Sequence, residues 1–403
     1  VFEKEKEVGG LCRSKIKDGF IFDYAGHLLH FRQKRIYLWI KEFFKGDLIK
    51  HKRKSSIYIF KKFIPYPFQA NLFGLPFLVI RDCLLGFLKT YDDFKKEISF
   101  LAWIKKKFGD GISRYFMIPY NEKFWSFPLQ KISCNWVERF VPVLNTEEVL
   151  QGAIKKNEAD FGYNIFFWYP KVGGIQRLAL LISSHIKNIY TSSELVRLDI
   201  KKKKLYFKDG SIKGYDILVS TIPLVELLNI LEGAPLSLKE ASLKLRWTSI
   251  FNLNLGIKKV YNPKYHWIYF PEKKYTFYRL GFPSNFSPNN TPKGSFSLYT
   301  EVSYLPDKKI DKENLASKII DELLYIGIIK KRNDILVKDI TDIKYGYVIY
   351  DFQHKNLTSK IINFLKTKDI YSIGRYGSWS YMTMEDSLYD GEVTAKEILN
   401  KLC

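Results

Sequence analysis

The chain has 403 residues, of which 46% are hydrophobic and 16% aromatic. This composition is enough for a sizeable core over two or three structural units, so a largely disordered chain is not expected. Sixty-five basic residues against 42 acidic ones give a net charge of +23. Such a charge suits an anionic partner, namely nucleic acid, a membrane surface or a phosphorylated small molecule. An AT-rich gene, which encodes many lysines, would produce the same excess without any such partner.

The four cysteines are far apart, and the six histidines show no metal-ligand spacing except His27 and His30, which stand alone. We therefore expect reduced thiols in a cytoplasmic protein and no metal site. The longest apolar run, Phe73–Leu88, is interrupted by Arg81 and Asp82. It is too short and too charged to span a bilayer, and it predicts a buried or interfacial helix.

At the start of the chain, Val1–Glu3 is predicted to be the end of a buried strand. A loop then reaches Gly9-Gly10, and a short strand follows at Gly19–Ala25. Apolar periodicity predicts helices, so that residues 31–164 are expected to be mainly helical. The helices are Arg32–Phe44, Phe73–Leu88 and Tyr91–Phe108.

The second half alternates helices and strands. A helix is predicted over Ile175–Ile186, and Tyr215–Pro223 is typical of a strand covered on both faces. Segments between 245 and 305 predict an antiparallel sheet. The remaining elements are a hairpin of Ser193–Asp199 with Lys204–Lys208, helices at Leu315–Ile328 and Ser387–Leu402, and a strand at Asp369–Gly374. Together these elements predict an α/β fold with α+β insertions, in which a discontinuous domain is assembled from both chain ends.

The first chemical motif is VFEKEKEVGGLCRS, residues 1–14. Glu3 follows a predicted strand, where an acid can hold the hydroxyl pair of a ribose. Gly9 and Gly10 let the backbone approach a pyrophosphate, and Arg13 can meet its charge. The segment is therefore a candidate for binding a dinucleotide.

Two further motifs stand at strand ends. The segment GFIFDYAGHLLHF, residues 19–31, runs from a strand into a turn with Gly26 and His27. Near the other end of the chain, a strand ends at Gly374-Arg375 and a helix starts near Met384. A helix N-terminus beside a strand end can cradle an anion or a ring oxygen.

These three motifs, in this order, resemble the FAD-dependent amine-oxidase and protoporphyrinogen-oxidase superfamily. The resemblance implies FAD as cofactor and an FAD-binding Rossmann-like domain made of residues 1–30, 165–222 and 360–403. It also implies a helical substrate unit, 31–164, and an antiparallel-sheet substrate domain, 223–359. Val196 matches a segment on the adenine side of the cofactor. The glycine-rich GxGxxG fingerprint expected before Glu3 is not in the sequence, so we expect an N-terminally truncated chain.

Segments in the middle of the chain are similar to UDP-galactopyranose mutase-like flavoproteins, among them YNEKFWSFPLQKISCNWVERFVP and HWIYFPEKKYTFYRLGFPSNFSP. In such enzymes N5 of the reduced flavin acts as the nucleophile on a UDP-sugar. The resemblance implies His27, Arg139 and Arg279 as catalytic residues. It also implies a cofactor contact at Asp386 and substrate contacts at Asn164, Tyr269, Tyr347 and Tyr381.

Two alternatives remain open. The first is an FAD-dependent oxidoreductase that takes hydride from an amine or porphyrinogen-like substrate, and the pair Arg139 and Arg279 favours the mutase over it. The second is a non-catalytic basic binding protein, which only the charge supports. No motif indicates a nucleic-acid partner, whereas peripheral contact with a membrane is compatible with the sequence. The substrate, the electron partner and the oligomeric state are not encoded in recognisable motifs.

Overall fold

The computed structural model describes residues 1–90, 98–137, 139–157, 161–162, 165–258 and 264–402. Helices and strands are mixed along the whole chain. The α-helices are α1 Lys34–Phe44, α2 Phe77–Leu88, α3 Phe100–Ile112, α4 Ile118–Trp125, α5 Thr146–Ile154, α6 Gln176–Ser183, α7 Leu224–Asn229, α8 Leu236–Lys244, α9 Lys312–Ile326, α10 His354–Lys366, α11 Gly374–Gly377 and α12 Met384–Leu402.

The strands form several sheets, and most of them are short. They are β1 Ser14–Lys17, β2 Phe20–Asp23, β3 Leu48–Lys52, β4 Ser55–Ile59, β5 Lys62–Pro65, β6 Phe166–Pro170, β7 Leu195–Asp199, β8 Lys204–Phe207, β9 Ile212–Gly214, β10 Leu218–Ser220, β11 Leu231–Glu232, β12 Trp247–Lys258, β13 Trp267–Tyr269, β14 Arg279–Gly281, β15 Ser295–Tyr304, β16 Ile335–Val348 and β17 Ile370–Ser372.

A seven-stranded sheet in the order β16-β12-β15-β14-β13-β4-β5 is the largest layer. Its neighbours pair antiparallel except β13 and β4, which are parallel. Helix α9 buries Ile319 and Leu323 against the sheet residues Phe251 and Leu253. The antiparallel sheet predicted over 245–305 is therefore present. The sequence pattern missed β16, and it also missed β3, β4 and β5 inside the segment predicted to be mainly helical.

A second layer joins distant parts of the chain. Strand β10 pairs in parallel with β17, and β11, β7, β8 and β9 form a four-stranded sheet. Helices α7, α8 and α10 cover this layer with apolar side chains. Two predictions of burial were wrong here, because Val219 in β10 is 46% exposed and Phe2, which forms an isolated bridge with Tyr190, is 41% exposed.

Helices α2 and α3 pack so closely that their backbones touch. A Cβ atom on Gly109 would lie 2.1 Å from the Gly86 carbonyl oxygen, and one on Gly111 would lie 2.3 Å from the Asp82 oxygen. Helix α2 begins later than predicted, and residues 91–97 of the second predicted helix lie outside the described part. Within the ranges described, no helix is long and apolar enough to cross a membrane.

Candidate active site

One cavity of about 730 Å³ lies where the N-terminal segment, the loop after β2, the large sheet and the start of α12 meet. It brings together most of the residues predicted from sequence. The predicted residues that line it are Glu3, Gly9, Gly10, Gly26, His27, Tyr269, Arg279, Tyr347, Gly374, Arg375, Tyr381 and Met384.

Four predicted residues lie outside the cavity lining, namely Arg13, Val196, Arg139 and Asp386. Val196 is 43% exposed on β7. Asn164, the remaining predicted substrate contact, lies outside the described residues.

Glycine backbone forms one end of the cavity. Gly9 and Gly10 have φ angles of 120° and 55°, which favour glycine, and a Cβ atom on Gly10 would meet no atom within 4 Å. Arg13 braces this turn, because its Nε donates to the Gly10 oxygen at 2.9 Å. Burial raises the pKa of the nearby Cys12 thiol to about 12, so it stays protonated.

Asp23 fixes the position of the loop that carries Gly26 and His27. Its carboxylate accepts hydrogen bonds from the Ser14 hydroxyl at 2.6 Å, the Tyr169 hydroxyl at 2.6 Å and the Ile175 amide at 3.1 Å. These contacts tie β1, β2, β6 and the start of α6 together. Burial raises the pKa of Asp23 to about 6, although the hydrogen bonds oppose this shift.

The raised pKa of Asp23 predicts a pH-dependent stability. The ordinary value is 3.8 and the folded value about 6, so the folded state binds the proton more tightly. The stability from this group is fully present below pH 3.8 and is lost as the pH rises through 6. Between pH 4 and 7 the free energy of unfolding should fall by up to about 3 kcal/mol more in the wild type than in Asp23→Asn.

Urea unfolding of both proteins at several pH values measures this difference. The control is Asp209→Asn, because Asp209 is exposed and hydrogen bonds from Ser211 lower its pKa. Above pH 4 the free energy of unfolding of this control should change with pH as that of the wild type does. A constant difference between wild type and Asp23→Asn across the range would contradict the prediction.

His27 presents an unsatisfied nitrogen in the cavity wall. Its buried Nδ1 has no hydrogen-bond partner in the part of the chain that the structure describes. Burial, together with the positive charge of Arg375, lowers the pKa of His27 to about 4. The imidazole is therefore neutral at pH 7, and a bound ligand could satisfy the free nitrogen.

Arg279 is held by a carboxylate that the sequence analysis missed. Glu301 is fully buried and lies directly opposite Arg279 in the register of β14 and β15. Arg279 Nε and Nη2 donate to the two Glu301 oxygens at 3.0 and 2.6 Å, and Nη2 also reaches the Tyr347 hydroxyl at 3.2 Å. Burial opposes the charged form of Arg279, but Glu301 and neighbouring tyrosines hold its pKa well above the usual value.

Arg375 organises the loop between α11 and α12. Its guanidinium donates to the backbone oxygens of Met382 and Gly346 at 2.6 and 3.1 Å. It also lies 4.6 Å from the ring centroid of Tyr381 and 5.3 Å from that of Tyr347. Arg375 thus positions the two tyrosines by cation–π contact, and much of its hydrogen-bonding capacity is used by the backbone.

Arg139 and Asp386 form an ion pair beside the cavity. Arg139 Nη2 lies 2.6 Å from Asp386 Oδ2, which also accepts from the Thr383 amide and hydroxyl at 2.8 and 2.7 Å. Arg32 binds the other Asp386 oxygen at 3.0 Å. The pair therefore holds the first turn of α12 in place, which brings Met384 to the cavity.

Aromatic side chains from the helical segment form the far wall of the cavity. The rings of Tyr66 and Tyr269 lie 5.0 Å apart, and those of Phe124 and Tyr347 lie 4.3 Å apart. The other members are Phe116, Tyr120, Trp136 and Phe140. Sequence reasoning did not single them out, because 27 tyrosines and 31 phenylalanines give no local signal.

Comparison with known proteins identifies this architecture. The profile of the flavin-containing amine oxidoreductase family matches residues 1–399. A crystal structure of reduced UDP-galactopyranose mutase superposes with a TM-score of 0.88 at 28% identity, covering 94% of this chain and 85% of that one. A putative protoporphyrinogen oxidase from Exiguobacterium sp. 255-15 gives a TM-score of 0.72 at 14% identity, covering 96% and 92% of the two chains. A redesigned putrescine oxidase gives 0.65 at 11% identity, covering 99% and 93%.

The chain therefore belongs to the flavin-containing amine oxidoreductase family, with its Rossmann-like and substrate domains. It is an enzyme of the FAD-dependent oxidoreductase and mutase superfamily, and its cofactor is FAD. The residues present fit that cofactor. Left-handed glycine backbone at Gly9 and Gly10 leaves room at one end of the cavity, and the unpaired His27 nitrogen and the start of α12 stand further along it.

Proposed function

We propose that this enzyme isomerises the sugar ring of a UDP-hexose, in the manner of a UDP-galactopyranose mutase. The observation that carries the proposal is the cluster of Arg279 with Tyr269, Tyr347 and Tyr381 in the cavity wall. Arg279 Nη1 has no hydrogen bond within the described ranges, so the guanidinium retains donors for a ligand. Guanidinium and phenol donors are suited to a diphosphate, because they give charge-assisted hydrogen bonds without being consumed.

The flavin domain in this proposal consists of residues 1–30, 165–222 and 360–403. Glu3, Gly9, Gly10 and Arg13 serve the dinucleotide part of FAD, with Val196 towards its adenine side. Gly26, Gly374, Arg375, Met384 and Asp386 serve the flavin end. The substrate lies between this domain, the helical unit 31–164 and the sheet domain 223–359.

Reduced FAD supplies the nucleophile at N5 in this chemistry. The protein residues position the substrate and exclude water. Burial raises the pKa of Tyr347 and Tyr381, so both phenols remain protonated donors at neutral pH. His27 stays neutral, and the aromatic wall keeps bulk water from the sugar. Arg139 supports this arrangement from outside the cavity lining through Asp386.

A second candidate is an oxidase or dehydrogenase that transfers hydride from a small substrate to FAD. The aromatic wall favours it, as does the pairing of Arg139 with Asp386, which reduces the positive charge available to a diphosphate. We also propose a cytoplasmic location, consistent with the thiols of Cys12 and Cys83, which are not joined in a disulfide.

The test is anaerobic conversion of UDP-galactofuranose to UDP-galactopyranose by the FAD-loaded protein after reduction with dithionite, followed by chromatography. Conversion should require reduced flavin. We expect Arg279→Lys to lower the turnover by about a hundredfold, because it removes the planar fork while keeping the charge. Tyr381→Phe tests the phenol, and Tyr389→Phe, at an exposed position on α12, is its matched control.

Flavin absorbance of each variant shows whether the cofactor is retained. A flavin-loaded wild type that converts no UDP-sugar in either redox state would reject the mutase proposal. Flavin reduction by a primary amine or another small donor would then support the oxidoreductase.

A further inference from the structure

The solvent face of α2 is unusually apolar. Phe77, Leu78, Leu85 and Leu88 are 76%, 57%, 53% and 55% exposed, and Phe73 just before the helix is 53% exposed. Phe77, Arg81, Leu85 and Leu88 are spaced by three to four residues, so they form one stripe along the helix, with Leu78 beside Phe77. Val79, Cys83 and Phe87 are buried on the opposite face. The helix is therefore apolar on both faces, although only one of them is covered.

This apolar stripe cannot turn inward. Gly86, Gly109 and Gly111 bring the backbones of α2 and α3 into contact, and Cβ atoms at the latter two positions would lie 2.1 and 2.3 Å from α2 carbonyl oxygens. Rotation of α2 would drive side chains into the α3 backbone. The stripe is thus a fixed surface feature, and large exposed apolar patches of this kind mark interaction sites.

Basic side chains lie at both ends of the stripe. Lys62 reaches the Gly74 carbonyl oxygen at 2.6 Å, which places an ammonium group beside the start of α2. Lys89 follows the last residue of the helix and is exposed. Asp82, the acid of this helix, is paired with Arg81 at 2.8 Å and lies 3.8 Å from Arg114. In the part of the chain that the structure describes, the two ends of the stripe therefore carry positive charges from Lys62 and Lys89.

We propose that the exposed face of α2 binds an anionic lipid bilayer surface. A basic rim around an apolar helical face suits a helix that lies in the interface, with its apolar side chains among the upper acyl chains. Twelve residues give a helix of about 18 Å, shorter than the hydrocarbon core, so the helix lies on the membrane and does not cross it. The net charge of +23 favours an anionic lipid surface over a second copy of the chain.

Co-sedimentation with unilamellar vesicles tests the proposal. The full chain should bind vesicles of phosphatidylcholine with phosphatidylglycerol more tightly than vesicles of phosphatidylcholine alone. We expect the double variant Phe77→Ser, Leu85→Ser to bind at least about tenfold more weakly. Its matched control is Leu236→Ser, Leu243→Ser in α8, where the leucines are 71% and 83% exposed. The variant Lys62→Gln, Lys89→Gln should reduce the preference for phosphatidylglycerol.

Unfolding curves and flavin absorbance establish that each variant is folded. Absence of vesicle binding by the wild type, or equal losses in the α2 and α8 variants, would overturn the proposal. Sedimentation velocity without lipid provides a further outcome. A concentration-dependent dimer that the α2 variant abolishes, with no vesicle binding, would assign the stripe to a second copy of the chain instead.

Discussion

Replacing Glu301 with glutamine should lower the free energy of unfolding by about 3–5 kcal/mol. The side chain of Glu301 is completely buried, and it binds Arg279 through two hydrogen bonds while accepting a third from the Tyr278 hydroxyl. Glutamine has nearly the same shape but no charge. It therefore leaves the Arg279 guanidinium, only 20% exposed, without a counter-ion in a low-dielectric wall.

The matched control for this experiment is Glu232→Gln. Glu232 also pairs with an arginine, Arg197, at 2.9 Å, but the two side chains are 49% and 43% exposed. Its loss should cost no more than about 1 kcal/mol. Urea unfolding with a double-mutant cycle, Glu301→Gln with Arg279→Gln, isolates the pair, since the double variant should be much less destabilised than the sum of the single ones. If Glu301→Gln and Glu232→Gln lowered the free energy of unfolding equally, burial would not determine how much the pair of Glu301 and Arg279 contributes to stability.

Gly26→Ala should destabilise the protein by about 3 kcal/mol for a purely steric reason. A Cβ atom at this position would lie 2.2 Å from the Tyr299 hydroxyl oxygen and 3.0 Å from the ring carbon that carries it. Tyr299 is 3% exposed, and the same ring stands 2.2 Å from a Cβ atom on Gly281. The tyrosine is held between two glycines and cannot move aside.

Tyr299→Phe separates the two clashes. It removes the oxygen that meets Gly26→Ala but leaves the ring atoms that meet Gly281→Ala. Thermal or urea unfolding should therefore show that Tyr299→Phe restores most of the stability of Gly26→Ala and little of that of Gly281→Ala. If Tyr299→Phe rescued both glycine variants equally, or if neither glycine variant were destabilised, contact with Tyr299 would not explain why positions 26 and 281 are glycines.

The parts of the site that local sequence signals could predict are the turns where glycine backbone reaches the cavity. Gly9-Gly10, Gly26-His27 and Gly374-Arg375 each follow a strand or precede a turn, and a glycine in such a place is a local signal. The structure brings all three pairs to one cavity. The antiparallel sheet was also predictable, because β12 and β15 alternate with clear turns.

The parts that could not be predicted depend on contacts across the fold. Glu301 stands in a strand with both faces buried, so alternation of polar and apolar residues did not mark it. Its partner Arg279 is 22 residues away in sequence and meets it only through sheet register. Strands β4 and β5 were missed for a similar reason, since β5 pairs with β4 and the pairing of β4 with β13 is set by tertiary packing. Arg139 was predicted to reach the substrate, but its ion pair with Asp386 became apparent only in the folded chain.

The cavity wall draws on residues as far apart as Glu3 and Leu388. Arg32 and Arg139 contact Asp386, and Gly26 contacts Glu301 at 3.4 Å. While the chain is being synthesised, the segment with Gly9, Gly10 and His27 therefore meets its last neighbours in the cavity wall, at the start of α12, only after nearly 400 residues have emerged. Contacts of such long sequence separation fold late. On the ribosome the helical and sheet segments can mature first, and the cavity can close only after the start of α12 has been made.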